Sequence, residues 1–396
     1  MLVASAALVL SCALASAARE PAPFVPNDSL YHLSQVGLES MSVPQAWRVT
    51  RGDPGVVIAV VDSGVGADPD LAPNLLPGYN AIDGSADTTD ENGHGSEQAA
   101  LIGAVLDNGL GASGICGSCR VLPVKVFGAD GRAGVDTLSR GIRWAADQGV
   151  DVINLSFALE PGSTPSPLLN ETIADAVGRG ITVVAGAGNN GSADPAANAL
   201  AATNPQVIRV ASIDTESHRL DAGSNRGAWV DVAASAELSA HGSGAAPVGN
   251  GGTSAAAAAV SAISGLLLSC NAALTPAHVK DILVRTSTPY DVDVVARGEV
   301  DAYRAVISSG CPEPVATVQS VERVRLTVLV QGGGTVSRQP AAAAYEPGTI
   351  VTLSARPRAG WRLASWRGLC AGKRQTCRLA VNRPVTVTAV FRRLSD

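Results

Sequence analysis

Three side chains of different types stand in sequence contexts that suit nucleophilic catalysis: Asp62, His94 and Ser254. Ser254 follows the glycine-rich segment 249–252 and opens a run of about fifteen small or apolar residues without charge or proline. Such a run predicts a buried helix. Free backbone N–H groups and the positive end of the dipole favour negative charge at the start of a helix. Serine is also a common helix cap, so a capping role alone stays open for Ser254.

A nucleophilic serine needs a histidine to take its proton and a carboxylate to orient that histidine. Among the five histidines, His94 is distinguished because glycines flank it and an apolar helical run follows at 98–106. Asp62 ends the apolar, β-branched strand predicted at 56–61. In an open parallel sheet, active sites form at such strand ends. The remaining histidines lie in polar or irregular contexts: His32, His218, His241 and His278.

The segments around these residues resemble the signatures of the subtilisin-like serine peptidases, the subtilase family. The order Asp, His, Ser along the chain is that of subtilisin and differs from that of chymotrypsin and the α/β-hydrolases. A fourth segment, 181–191, is similar to the strand and turn that carry the family's oxyanion-hole asparagine, which implies that role for Asn189. Because Asn190-Gly191 follows, a plain turn residue is the alternative for Asn189. The resemblance covers roughly residues 26–310.

The resemblance implies a secreted serine endopeptidase that hydrolyses peptide bonds through an acyl-enzyme. Asp62 would orient His94, His94 would take the Ser254 proton, and Asn189 would help bind the oxyanion. The chain departs from the family at a few positions near these residues. Glu97 replaces a second histidine, Ala258 and Ala259 replace a proline and a histidine, and Ala158-Leu159 replaces two glycines. An inactive subtilase-like adhesin is therefore the alternative function.

A calcium site is also implied by the resemblance. Asp70 matches a calcium-binding aspartate, and the loop that contains Asp107 and Asn108 resembles the loop that completes the site. Oxygen ligands on a glycine-rich loop suit calcium. The alternative is an ordinary polar surface loop. No cofactor is expected for catalysis.

Strands and helices alternate along the first three quarters of the chain, which predicts an α/β fold with a doubly wound parallel sheet. The resemblance implies that this sheet is subtilisin-like. The predicted domains are a signal peptide at 1–18, a peptidase domain at 26–311, a linker at 312–320 and a small all-β repeat module at 321–396. Little chain lies between the predicted signal peptide and the lead-in to the first strand near residue 43, which leaves no room for the family's usual N-terminal pro-domain. We therefore expect either that the pro-domain is absent or that the sequence is truncated. The predicted strands span 56–61, 121–127, 150–157, 181–187 and 207–213, and the predicted helices span 98–106, 135–148, 171–179, 254–269 and 275–285.

Export is indicated by the apolar N-terminus and by the cysteines. Apart from Cys12 in the predicted signal peptide, six cysteines remain, and an even number in an exported chain indicates disulfides. Neighbourhood favours the pairs 116–119, 270–311 and 370–377, although sequence alone does not fix the connectivity. A redox or zinc role is the alternative for the CxxC at 116–119. No later stretch predicts a membrane span, and a monomer is expected.

The last part of the chain differs sharply in charge from the rest. From residue 316 onward the sequence contains 13 Lys and Arg and 3 Asp and Glu, a net charge of +10. The whole chain has a net charge of −6, so residues 1–315 have a net charge of −16. This asymmetry predicts that the basic module binds an anionic cell-surface polymer, with Trp361 and Trp366 available for stacking on sugar rings or bases. The alternative is that the positive charge only keeps the module soluble or docks the module on the acidic peptidase domain.

Overall fold

A computed structural model describes most of the chain. The described residues are 21–158, 166–198, 204–238, 240, 251–312, 324–345, 349–368, 370, 374–381 and 384–394. The predicted signal peptide, Cys12 and His241 lie outside them, as does nearly all of the predicted linker.

Ten strands of the described residues form one sheet in the order β2-β3-β1-β4-β5-β6-β8-β10-β9, with β7 paired to β6. Neighbouring strands are parallel except for β9–β10 and β6–β7. The five predicted strands are present, and their ends differ from the prediction by at most two residues. The strands are β1 Val57–Asp62, β2 Tyr79–Asn80, β3 Arg120–Lys125, β4 Val152–Leu155, β5 Thr182–Gly186, β6 Ile208–Asp214, β7 Arg219–Leu220, β8 Val232–Ser235, β9 Thr288–Pro289 and β10 Gly298–Glu299.

Helices cover both faces of this sheet. Ile58 and Val60 belong to a core shared with helices α4, α7, α8 and α9, whereas Ala59 and Val61 belong to a core shared with α5 and α6. This alternation explains the continuous apolar strands, because both faces of the sheet are buried. The predicted doubly wound α/β architecture is confirmed. The helices are α1 Tyr31–Ser34, α2 Gly37–Ser40, α3 Val43–Ala46, α4 His94–Gly103, α5 Val135–Asp147, α6 Pro167–Gly178, α7 Gly252–Cys270, α8 Pro276–Thr286 and α9 Ala302–Ser308.

Helix α7 is the apolar helix predicted from the run after Ser254. Among the described residues it alone is long and apolar enough to cross a membrane by length and composition. However, 83% of its most apolar window is buried inside the protein, where it packs on strands β4, β5 and β6. The prediction of a buried core helix is therefore confirmed.

The C-terminal residues form two small sheets, in agreement with the predicted all-β character of this region, and the two sheets share an apolar core. The strand orders are β11-β16-β14 and β12-β13-β15. Their shared core contains Val351, Leu353, Val387 and Phe391, each at most 3% exposed. The sequence has short β-type runs at 326–330, 349–353, 363–366 and 384–391, which correspond to β11, β13, β14 and β16. Strands β12 and β15 were not predicted, because β12 has Val336 as its one large apolar residue and β15 begins beside a turn. The strands are β11 Leu326–Gln331, β12 Gly334–Gln339, β13 Thr349–Pro357, β14 Trp361–Arg367, β15 Thr376–Val381 and β16 Val385–Arg393.

Three disulfides join the six cysteines in the pairs that neighbourhood favours. They are Cys116–Cys119, Cys270–Cys311 and Cys370–Cys377. The zinc alternative for the CxxC requires free thiolates, and in this structure both sulfurs are bonded to each other.

Candidate active site

The site begins with Asp62 at the carboxyl end of β1. Its side chain is 1% exposed, and Oδ1 accepts hydrogen bonds from His94 Nδ1 at 2.8 Å and from the Ser63 backbone N–H at 2.7 Å. The second oxygen, Oδ2, is buried and has no hydrogen-bond partner. An acceptor at Nδ1 fixes the tautomer of the imidazole, so Nε2 is left to accept a proton.

His94 is the first residue of α4, four residues before the predicted start of that helix. The next residue, Gly95, donates its backbone N–H to Ser63 Oγ at 2.9 Å. A Cβ on Gly95 would collide with the carbonyl oxygen of Gly64. The glycine therefore allows the helix to begin directly against the end of β1, which brings His94 to Asp62.

Asp90 explains why this helix starts earlier than its apolar pattern indicates. One carboxylate oxygen accepts the N–H of Gly93 at 2.8 Å, and the other accepts both the N–H and the hydroxyl of Ser96, at 2.9 and 2.6 Å. These bonds satisfy N–H groups that a helix start leaves free. Burial alone would raise the pKa of Asp90, but the hydrogen bonds from Ser96 and Gly93 outweigh it and lower the pKa.

The electrostatic surroundings of His94 favour its protonated form. Burial acts to lower the pKa of His94, but the charge and hydrogen bond of Asp62, together with the charges of Glu97 and Asp90, raise it overall. The imidazole remains about one-third exposed. It is therefore placed to hold a proton transiently and to exchange it with a bound molecule.

Lys125 is a buried residue of this region that the sequence did not single out. Its Nζ, at the end of β3, donates to the carbonyl oxygens of Ser63 at 2.8 Å and Thr89 at 2.9 Å, and lies 3.8 Å from Glu91 Oε2. It thereby joins the segment after Asp62 to the loop before His94. The sequence does contain a signal for this residue, namely a lysine at the end of an apolar strand. Buried lysines are rare unless they are paired, so such a lysine indicates a specific partner.

Ser254 is the third residue of α7 and lies at the end of β4. Its Oγ donates to the Ser156 carbonyl oxygen at 2.8 Å, and Ser156 Oγ donates in return to the Ser254 carbonyl oxygen at 2.9 Å. Asn154 supports this pair through a hydrogen bond from Nδ2 to Ser156 Oγ at 2.9 Å. These bonds fix the N-terminus of α7 to the carboxyl end of β4.

Asn189 lies after β5, on the other side of the start of α7. Its Oδ1 accepts hydrogen bonds from the Thr253 N–H at 3.0 Å and the Thr253 hydroxyl at 3.1 Å. Gly252 adopts a positive φ of 52°, and a Cβ there would lie 2.8 Å from Asn189 Oδ1. Since Oδ1 is turned to Thr253, the Nδ2 group is the donor that remains for another partner.

Comparison with known proteins identifies the family. The sequence profile of the subtilase family, Peptidase S8, matches residues 53–306. Thermitase from Thermoactinomyces vulgaris is 32% identical over 290 residues, which are 72% of this chain and 99% of thermitase. The chain belongs to the subtilase family. This membership places it among the serine endopeptidases.

Other relatives agree with this subtilase assignment. The thermophilic serine proteinase of Bacillus sp. (strain AK1) is 36% identical over 217 residues, which are 54% of this chain and 52% of that protein. The chain therefore spans about half the length of that relative. The solved structure of a protease from Pseudoalteromonas arctica superposes with a TM-score of 0.62 at 27% identity and covers 72% of this chain and 99% of its own. The profile of the divergent InlB B-repeat domain matches residues 324–395.

Most of the residues that depart from the subtilase signatures lie close to a predicted catalytic residue in the sequence. Glu97 is 7% exposed and lies one helical turn after His94. Ala258 and Ala259 are fully buried in the interior of α7. The ring of Phe157 meets that of Phe127 edge to face, with centroids 5.1 Å apart, and Leu159 lies outside the described residues. Asp62 and Ser254 make the hydrogen bonds described above in this substituted sequence.

The surroundings of the predicted calcium ligands differ from the prediction at two carboxylates, those of Asp28 and Asp107. Asp70 Oδ1 accepts a hydrogen bond from Asn108 Nδ2 at 2.7 Å, whereas Asp107 Oδ1 accepts from the Asn27 N–H at 3.0 Å. Asp28, which the sequence did not single out, accepts the N–H groups of Asp107 and Asn108, both at 2.9 Å. Burial raises the pKa of Asp28 and that of Asp70, and the charge of Asp28 adds to the effect on Asp70.

The carboxylate oxygens of Asp28 and Asp70 all accept hydrogen bonds in this structure. Asp28 and Asp70 are 2% and 3% exposed, so the repulsion between their carboxylates is poorly screened by water. A calcium ion takes carboxylate, amide and backbone oxygens, and such oxygens are what the loop offers. No group of three or more His, Cys, Asp or Glu at metal-binding distance occurs in the described part of the chain.

Proposed function

We propose that this subtilase is an exported serine endopeptidase that uses Asp62, His94 and Ser254, with Asn189 as an oxyanion donor. The observation that carries the proposal is the 2.8 Å hydrogen bond between the buried Asp62 carboxylate and His94. It lies at the sheet edge where α7 begins, and Ser254 is the third residue of that helix. Three disulfides and the relationship to bacterial subtilases support export.

The proposed reaction starts with a change in the Ser254 hydroxyl, which donates to the Ser156 carbonyl oxygen in this structure. When a substrate carbonyl approaches, the hydroxyl would turn to His94 Nε2, since catalytic hydrogen bonds often form only in the complex. His94 would take the proton, and Ser254 Oγ would attack the carbonyl carbon to form a tetrahedral intermediate. Collapse to the acyl-enzyme would then transfer this proton to the leaving amine.

The negative charge that develops on the substrate oxygen would be stabilised by two donors. These are the Nδ2 group of Asn189 and the backbone N–H of Ser254 at the positive end of α7. In the second half of the reaction His94 would deprotonate a water molecule, which would attack the acyl carbon. The bond to Ser254 Oγ would then break, and His94 would return the proton to Oγ as the carboxylic acid product leaves. Asp62 would stabilise the imidazolium in both halves and would not itself take up a proton.

Two assays test this proposal. Wild type and the Ser254→Ala variant are compared in casein digestion and in labelling by a fluorophosphonate probe. We expect Ser254→Ala and His94→Ala each to lower kcat by about 10⁶, the loss found when one member of the subtilisin triad is removed. The nucleophile assignment is wrong if Ser254→Ala keeps more than about a hundredth of the wild-type rate. Absence of labelling in the wild type would favour the inactive, adhesin-like alternative.

We also propose that calcium binds at the loop that contains Asp28, Asp70 and Asn108 as a structural ion. The buried carboxylate pair supports this proposal. An ion that binds the folded state alone raises stability by mass action. A chelator should therefore lower the melting temperature of the wild type and leave that of Asp70→Asn unchanged. An unchanged wild-type melting temperature would contradict calcium binding at this loop.

For the C-terminal residues we propose a domain division and a binding role. Residues 26–311 would form the peptidase domain, 312–320 a linker and 321–396 a module that binds an anionic cell-surface polymer. The excess of basic residues in the module supports this role.

A further inference from the structure

Charge is distributed very unevenly over the small sheets of the C-terminal module. Between residues 324 and 394 the sequence contains a single acidic residue, Glu346. Ten arginines lie in the described part of the same stretch, and no described acidic side chain is available there to pair with them. The arginines are Arg325, Arg338, Arg356, Arg358, Arg362, Arg367, Arg374, Arg378, Arg392 and Arg393.

Three of these arginines share the outer face of the sheet β11-β16-β14. In β16, Val387, Ala389 and Phe391 point into the module core, so the alternate positions, which include Arg392, face outward. Arg362 of β14 lies directly opposite Arg392 in the antiparallel register. Arg367, further along β14, lies opposite Thr388. All three arginines are exposed, and together they are called the arginine face below.

The pair Arg362–Arg392 works against stability, because like charges placed directly opposite in a sheet repel each other. A neighbouring arginine shows the alternative arrangement, since Arg393 lies over the Trp361 ring at 5.5 Å from its centroid. Features that lower stability without a compensating contact are expected at functional sites. A bound anion that meets both guanidinium groups would remove the repulsion.

We propose that the arginine face binds a linear acidic polysaccharide whose carboxylates pair with Arg362, Arg392 and Arg367. This inference rests on the proposed binding role of the module and names its surface and its partner. The planar guanidinium fork matches a carboxylate in two parallel hydrogen bonds. Arg367 lies four residues along the sheet from the arginine pair, about 13 Å away at the rise of a β-strand. A polymer with repeated charges bridges such a distance.

The rest of the face also suits a sugar polymer. Thr386 and Thr388 alternate with the core residues of β16, so their hydroxyl groups face the same side as the arginines. An exposed sheet face admits an extended chain, whereas small ligands bind in concave pockets. The expected stacking of bases on tryptophans does not fit this face. Trp366 is 4% exposed and donates to the Arg374 carbonyl oxygen at 2.8 Å, and Trp361 is in contact with Arg393.

Single-stranded nucleic acids are bound chiefly through aromatic stacking combined with a basic groove. The arginine face provides the charge without the stacking platform. We therefore place nucleic acid among the outcomes of the test that would contradict the proposal.

The experiment uses the full chain with Ser254→Ala to prevent self-digestion, and immobilised alginate, a polymer of uronic acids, as the probe. The test variant is Arg362→Gln/Arg392→Gln. The matched control is Arg356→Gln/Arg378→Gln, which removes the same charge from exposed positions of the other sheet, opposite Thr335 and Thr352. Binding is measured between low and high salt, and unfolding is followed for each variant.

We expect the test variant to bind alginate at least about tenfold more weakly, since each lost charged hydrogen bond changes the affinity by that order. The slope of log affinity against log salt should fall by about 1 to 2, as two fewer charges are neutralised. The control variant should change the affinity less than about threefold, because its two arginines lie outside the arginine face and would not pair with the polymer. Loss of the like-charge pair should leave the unfolding midpoint of the test variant equal to or above that of the parent.

Three results would overturn the proposal. They are absence of retention on alginate at low salt, equal losses in the two double variants, and retention on DNA as strong as on alginate. A lower unfolding midpoint in the test variant would refute the argument from repulsion. Hydrolysis of a soluble peptide by the same arginine variants with Ser254 intact is measured separately. Failure of peptidase activity and failure of polymer binding are therefore distinguishable.

Discussion

The buried carboxyl group of Glu299 should make the stability of this subtilase depend on pH. Glu299 lies in β10 and is fully buried. One oxygen, Oε1, accepts the Ser40 hydroxyl at 2.9 Å, and the other, Oε2, has no hydrogen-bond partner. Burial raises the pKa of Glu299 to about 7 from the usual 4.5, although the hydrogen bonds from Ser40 and the Ser235 backbone oppose this shift.

The sign and size of the effect follow from proton linkage. Below pH 4.5 the carboxyl group is protonated in both states, so its full contribution to stability is present. Between about 4.5 and 7 the unfolded chain ionises while the folded protein keeps the proton, so stability falls as pH rises. A shift from 4.5 to about 7 at 1.36 kcal/mol per unit corresponds to a loss of about 3 kcal/mol by neutral pH.

The Glu299→Gln variant tests this reasoning because glutamine has a similar shape and never ionises. Urea unfolding is measured at pH 4.5, 6 and 8 in the Ser254→Ala background. We expect equal stability near pH 4.5 within about 1 kcal/mol, the net contribution of one hydrogen bond. At pH 8 the variant should be more stable by up to about 3 kcal/mol. Glu216→Gln, at an exposed position, is the control. A parallel pH dependence of wild type and Glu299→Gln would refute the linkage argument.

Three further predictions concern activity and packing. Because the charge of Glu97 helps to raise the pKa of His94, Glu97→Gln should shift the acidic limb of the pH profile of kcat/KM to lower pH. An acidic limb at the same pH in both proteins would contradict this prediction. Lys125→Met should lower kcat at least about tenfold with little change in KM, and Lys125→Arg should restore part of the loss; a loss confined to melting temperature would argue against a positioning role. Gly265→Ala in α7 places a methyl group 2.8 Å from a β1 side chain and should destabilise by about 1–3 kcal/mol. Gly178→Ala is the control, because a methyl group there meets open space, and it should stabilise the protein by up to about 1 kcal/mol. Equal changes in the free energy of unfolding for Gly265→Ala and Gly178→Ala would refute the packing argument.

The sequence predicted the elements whose physical signals are local. Strand β1 was predictable because both of its faces are buried, which makes its residues continuously apolar. The start of α4 at His94 was not, because it depends on hydrogen bonds from Gly93 and Ser96 to Asp90, a residue outside the apolar pattern. A helix start fixed by a polar side chain leaves no periodicity to read.

The residues that the sequence missed share a different property. Asp28 contacts a loop about 80 positions away, Lys125 contacts Ser63 at a separation of 62, and Glu299 contacts Ser40 at a separation of 259. Each is an ionisable residue whose role exists only once distant segments have come together. Composition and spacing do not encode such contacts, whereas the motif residues could be found through their resemblance to a family.

The topology of the sheet explains why these particular segments can act together in the proposed mechanism. Asp62 ends β1, whereas Ser156 and Asn189 follow β4 and β5. Because these strands are parallel, the three residues reach the same edge of the sheet. Helices α4 and α7 begin at that edge and contact each other. A negative charge on the substrate oxygen would therefore meet the positive end of α7, while the positive charge on His94 would meet Asp62. The two charges would form on opposite sides of the scissile bond, and each would be stabilised without movement of the backbone. This separation would suit the proposed roles of Ser254, at the start of α7, and of Asp62, at the end of β1.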